Sequence, residues 1–125
     1  MGRLKEVRAK LMTDLAVLDI PVMDDWSIRA DPPCIFLAPP QGTDYLTAGD
    51  EFALCFVMNL DVVILVEARP PNEGREELED LLEDVLRNTV DWAFEGADSP
   101  GIASKSDSTV EFLGTVVHLA KKLYL

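Results

Sequence analysis

The sequence predicts an α+β domain: an antiparallel sheet of four to five strands with two helices packed on one face. Three observations support this class. A long apolar run with a period of two lies in the middle of the chain, and an amphipathic helical pattern stands on each side of it. The 125 residues are 48% apolar, so we expect residues 1–125 to form a single domain with one core.

The central run, residues 52–67, is predicted to be one long strand. Its even positions are all apolar: Phe52, Leu54, Phe56, Met58, Leu60, Val62, Ile64 and Val66. The odd face is apolar except for a polar pair at its middle, Asn59 and Asp61. We expect the even face, including Phe56, to meet the helices. So long a strand is rarely covered by one small domain, which suggests that another copy of the chain completes it.

The elements before this strand follow from apolar spacing and from prolines. Residues 3–19 place leucines and a valine at helical spacing, and Pro21 closes that helix. A short extended stretch is expected around Trp26. Residues 34–38 form a short apolar strand between two proline pairs, which fits an edge strand or the beginning of a strand and not a central strand. Residues 41–50 are interpreted as a long loop between antiparallel strands.

After the long strand, residues 73–94 are predicted to be a second helix that ends at Gly96. Its apolar stripe runs through Leu78, Leu81, Leu82, Val85, Leu86, Val90 and Phe94. Residues 102–103 suit a short strand, and residues 106–108 suit a hairpin turn. The tail, residues 109–125, has both helical and alternating spacing, and the preceding hairpin pattern favours a strand.

Composition excludes several classes of function. A net charge of −12 argues against wrapping nucleic acid and against binding an anionic membrane surface. Cys34 and Cys55 form no metal-binding pair and are expected to be buried free thiols. The charged first residues do not suit a signal peptide, and no stretch is long enough to span a membrane. A reducing cytosol is therefore the expected place of synthesis and use.

No motif for catalysis, phosphate binding or a cofactor is present, so we expect no enzyme activity, no cofactor and no metal. His118 stands in an apolar run without a nucleophile motif and is interpreted as structural. Asn59 and Asp61 share one strand face and could bind a metal or act as acid and base. Residues of this kind more often meet polar partners across a sheet or at a subunit contact.

Residues 73–95 carry nine acidic side chains against two arginines, a local charge of −7. Such a charged helix is commonly a solvated surface. It would also repel a passing anion such as DNA, and the two interpretations are compatible.

The order of these pieces resembles the tail terminator proteins of long-tailed phages (siphophages), in particular those of actinobacteriophages. The similarity rests on the N-terminal helix, the short strand after a proline pair, the Asp44-Tyr45-Leu46 island and the strand of residues 60–66 with the acidic helix after it. A final segment after Ser99-Pro100-Gly101 also matches. Lys121-Lys122 and the helical spacing of the last segment depart from the family pattern.

The resemblance implies a subunit of a hexameric ring that ends tail-tube growth and joins the filled head. Its partners would be further copies of itself, the tail tube protein and the head–tail connector protein, with DNA passing through without specific binding. It would be assembled in the host cytoplasm and reside at the head–tail junction of the virion. Candidate interface or lumen residues are Asn59, Asp61, Glu77, Asp80 and Asp84.

The alternatives are another head–tail connector or minor tail component, a small acidic binding module, and a hydrolase that uses Asp61 and His118.

Overall fold

The computed structural model of the chain describes residues 2–24, 32–40, 42–49, 55–67, 73–104 and 111–124. These residues form two helices and seven strands: α1 (Arg3–Ala16), β1 (Val22–Met23), β2 (Cys34–Ala38), β3 (Leu46–Ala48), β4 (Cys55–Glu67), α2 (Glu73–Arg87), β5 (Ala93–Ala97), β6 (Gly101–Ser104) and β7 (Glu111–Tyr124). The predicted α+β class is confirmed.

Two long antiparallel strands form the middle of the sheet. All 13 residues of β4 pair with β7. The other edge of β4 pairs with β2 and β3, and the other edge of β7 pairs with β5 and β6. Every pairing is antiparallel except the two-residue contact of β1 with β2. The sheet is therefore built around the strand that the two-residue period predicted, with Cys55 as the first of its residues that the structure describes.

The even face of β4 lies in the core, as predicted. Met58, Leu60, Val62, Ile64 and Val66 are each at most 2% exposed and belong to one hydrophobic cluster. Alternating side chains point to opposite faces of a strand, so one period-two pattern decides the orientation of the whole ladder. The exception is Phe56, which is half-buried and lies outside the cluster, contrary to the prediction.

Both helices pack on this same face, which confirms the predicted layer arrangement. Val7, Leu11 and Leu15 of α1 are buried in the cluster, and so are Leu78 and Val85 of α2. The spacing of four residues in α1 and seven in α2 places each set on one side of its helix.

The predicted end of the second helix is wrong. The helix ends at Arg87, and residues 93–97 form strand β5. The Asn88 amide and the Thr89 hydroxyl donate to the carbonyls of Asp84 and Val85, at 2.8 Å each, where the helix stops. Val90 and Phe94 then lie outside the core, 79% and 54% exposed.

Three further predictions about the elements need correction. Strand β2 is not at the sheet edge, because β1 pairs with its free side over two residues. The predicted loop of residues 41–50 contains β3, which pairs with β4. The helix predicted for residues 3–19 ends at Ala16, three residues early.

The strand interpretation of the tail is confirmed by β7, and that of residues 102–103 by β6. Cys34 and Cys55 are both buried, as expected. Trp26 and the predicted turn at 106–108 lie outside the described residues.

Candidate functional site

The face of the sheet opposite α1 and α2 is left partly open. Phe36, Val63, Leu65 and Val116 lie on it and are only half-buried, although their neighbours on the helix face are fully buried. A shallow groove of about 580 Å³ runs across this face, lined by Phe36, Ala38, Pro39, Asp61, Val63, Asp98, Val116 and His118. We call this lining the open-face groove.

A chain of three charged side chains crosses the groove. The Nδ1 atom of His118 is 2.7 Å from Oδ1 of Asp61, and its Nε2 atom is 2.8 Å from Oδ1 of Asp98. The Asp61 side chain is 8% exposed, the His118 side chain 35% and the Asp98 side chain 58%. This row of three side chains therefore leads from the interior of the sheet to solvent.

The register of the two long strands brings the first pair together. Asp61 of β4 is directly opposite His118 of β7 in the ladder, so the two side chains leave the sheet on the same face. Asp98 comes from the segment after β5, where its N–H donates to the Val116 carbonyl at 2.9 Å. Its own carbonyl accepts the Thr115 hydroxyl at 2.6 Å. The backbone of Asp98 is thus held beside β7.

The two carboxylates raise the pKa of His118 above its ordinary value. The hydrogen bond to Asp98 contributes most and the hydrogen bond to Asp61 contributes next, while partial burial opposes both. An ionised carboxylate can only accept a hydrogen bond, so the two contacts to Asp61 and Asp98 together require a proton on each ring nitrogen, which is the imidazolium. Its positive charge also provides the buried Asp61 carboxylate with a partner.

This arrangement resembles only half of a hydrolytic site. A histidine oriented by a buried aspartate is what a nucleophilic triad requires, but the second nitrogen must reach a nucleophile. Here that nitrogen contacts Asp98, and the described lining of the groove contains no serine, threonine or cysteine. Within the described part of the chain, no group of three or more His, Cys, Asp or Glu side chains is placed to hold a metal ion.

Asn59, the polar neighbour of Asp61 on β4, has an internal role. Its side-chain amide donates to the Asp44 carbonyl at 2.9 Å, and its backbone N–H donates to the Tyr45 carbonyl at 2.8 Å. Asn59 therefore ties the segment before β3 to β4, at the point between the stretches that pair with β2 and β3.

The three acidic candidates lie together elsewhere. Glu77, Asp80 and Asp84 of α2 line one groove of about 460 Å³, with Glu76 as a fourth carboxylate and Ile20, Pro33 and Leu81 as its apolar part. We call this lining the acidic groove. Since α2 packs on the covered side of the sheet, the five predicted site residues fall on two surfaces on opposite sides of it.

The sequence interpretation missed Asp98. It lies in a connection without periodicity, and no local pattern marks it. The structure also joins Asp61 to His118, which sequence reasoning considered together only as one alternative. Both contacts of His118 depend on how the neighbouring segments align with β7: β4 places Asp61 opposite His118, and the segment after β5 places Asp98 beside Val116.

Comparison with protein-family models finds no match for this sequence, and comparison with curated proteins finds none either. The described part of the chain contains no helix with the length and apolar character needed to cross a bilayer.

Proposed function

We propose that this protein is a structural subunit that assembles with copies of itself into a ring at the head–tail junction of a long-tailed phage. In that role it would be a tail terminator, meeting the tail tube protein on one side and the head–tail connector on the other. The sequence resemblance suggests six subunits. Our proposal is that the protein acts without catalytic activity and without a cofactor.

The observation that carries the proposal is the difference between the two faces of the long β4–β7 ladder. One face is covered by two helices, while the other has half-exposed apolar side chains around one ion-pair chain. We propose a second copy of the chain as the partner of this open face. When a face of one copy binds a different surface of the next copy, the copies form a ring if the repeated rotation between neighbours adds up to a full turn.

The acidic groove supports the DNA-related part of the proposal. Helix α2 contains seven acidic residues and two arginines, a local charge of −5. On a ring lumen these carboxylates would keep DNA from adhering, since like charges raise the cost of close approach. The effect extends over about one Debye length, roughly 8 Å at physiological salt.

The assembly is tested by negative-stain electron microscopy of the protein mixed with tail tubes of an actinobacterial siphophage. We expect rings that cap tube ends and tubes that stop growing. Tubes that continue to grow at the same rate, with no density at their ends, would refute the terminator role. Hydrolysis of any substrate that disappears in His118→Gln would instead favour the enzyme alternative.

The lumen is tested by charge reversal in a variant with Glu77, Asp80 and Asp84 changed to lysine. We expect rings that form normally but retain DNA at low salt and release it as salt rises. A matched control changes Glu6, Asp44 and Glu95 to lysine, which alters the net charge equally at other exposed positions. Equal DNA retention by the two variants would place the acidic groove away from the lumen.

A further inference from the structure

His118 joins three separate parts of the fold through its two ring nitrogens. The imidazole belongs to β7, Asp61 to β4 and Asp98 to the connection between β5 and β6. This connection spans residues 98–100, and the strands on both sides of it pair with β7. The bond to Asp98 therefore links a surface connection to the centre of the sheet.

The two carboxylates differ in their access to water, and this difference decides which bond depends on the second proton. A neutral imidazole has one N–H, and its other nitrogen can only accept. Asp61, 8% exposed, has little access to water and depends on the N–H as its donor. Asp98, 58% exposed, can turn to solvent at little cost. Loss of one proton therefore leaves the N–H with Asp61 and removes the bond to Asp98.

We propose that the Asp61–His118–Asp98 chain is a protonation-controlled clasp. The imidazolium holds the Asp98 side chain across the open-face groove, and the neutral imidazole releases that side chain. The connection 98–100 is then held only by the Asp98 N–H bond to Val116 and by the Thr115 hydroxyl, so it opens more easily. Asp98 forms part of the groove wall, so its release widens access to Phe36, Val63 and Val116. The clasp is a property of the single chain and does not require that the chain forms rings.

No other titratable side chain lines the groove among the described residues. The residues contributed by β2 and its following turn are Phe36, Ala38 and Pro39, and β4 adds Val63 beside Asp61. Along β7, Lys122 is four residues from His118, about 13 Å at the rise of a strand. On β5, Glu95 stands at the bulge between Phe94 and Gly96.

His118 is the single histidine of the chain, so it is the side chain whose ordinary pKa lies nearest neutrality.

The clasp is tested by nuclear magnetic resonance of the full chain labelled with ¹⁵N, between about pH 5 and 9. One histidine gives one imidazole signal, so its titration needs no assignment by mutation. We expect its midpoint above the ordinary value of about 6.5. Across the same interval, the protection of the Asp98 amide against hydrogen exchange should fall about tenfold or more, as for the loss of one charge-assisted hydrogen bond. The Val62 amide in the central ladder should show no such change.

Three variants complete the test. Asp98→Asn should lower the imidazole midpoint and remove the pH dependence of protection at residue 98. Glu95→Gln removes the same charge from a neighbouring exposed position and should leave both measurements close to those of the unmodified chain. His118→Gln should show the low, released protection of the Asp98 amide at every pH.

Three results would each overturn the proposal: an imidazole midpoint at or below the ordinary value, Asp98 protection that does not change through the titration, or equal midpoints in Asp98→Asn and Glu95→Gln. All of these are measured on the isolated chain, so they are independent of whether it caps tail tubes.

Discussion

Two adjacent valines of β4 provide a direct test of which face of the sheet is the core. Val62 is fully buried on the helix face, while Val63 is half-buried on the open face. Changing either to alanine removes the same atoms from neighbouring positions of one strand. Differences in backbone propensity therefore cancel, and what remains is the difference in burial.

The expected loss for Val62→Ala follows from two contributions. Removing two methyl-sized groups from the core costs about 1.6 kcal/mol of transfer free energy. A cavity of about 50 Å³ that does not relax adds about 1.2 kcal/mol. The free energy of unfolding should therefore fall by about 1.6–2.8 kcal/mol. For Val63→Ala no closed cavity forms and about half the transfer term applies, so we expect less than about 1 kcal/mol.

Urea denaturation measures both losses, with an unchanged m value as the sign that only stability has changed. Val117→Ala and Val116→Ala repeat the comparison on β7, where Val117 is fully buried and Val116 half-buried. Equal losses within either pair, or a larger loss at Val63 or Val116, would show that the assignment of the two faces is wrong. If a second copy covers the open face, Val63→Ala should weaken assembly more than it weakens the fold.

Two further predictions concern β7. In Gly114→Ala the new Cβ would lie 2.6 Å from Cδ2 of Leu65 and 3.1 Å from the Ile64 carbonyl oxygen. We therefore expect the free energy of unfolding measured in urea to fall by about 1–2 kcal/mol. An unchanged free energy of unfolding would contradict the close approach of the two strands. The raised pKa of His118, due first to Asp98, contributes stability that is fully present below about pH 6.5 and is lost as pH rises through the folded-state pKa. The urea midpoint should therefore fall more steeply with rising pH in the unmodified chain than in His118→Gln, and parallel pH profiles would contradict it.

The layer arrangement could be predicted from local patterns because burial repeats with the period of each element. An apolar residue at every second position of β4 assigns that strand to a sheet, and a spacing of four residues assigns Val7, Leu11 and Leu15 to one helix face. Where a pattern suits two structures, the prediction is less secure. Val90 and Phe94 continue the helical spacing of α2, yet the helix stops at Arg87 because Asn88 and Thr89 bind its last carbonyls.

Sequence patterns were sufficient to predict the fold class, the central strand and its core-facing side, the burial of the two cysteines and the acidic character of α2. These depend on residue type and on short-range spacing. The folded chain was needed to show that Asp61 faces His118, that Asp98 reaches the other ring nitrogen, and that the acidic groove lies on the opposite side of the sheet. The physical reason is that strand register joins residues 57 positions apart, and neither residue carries a local mark of its partner.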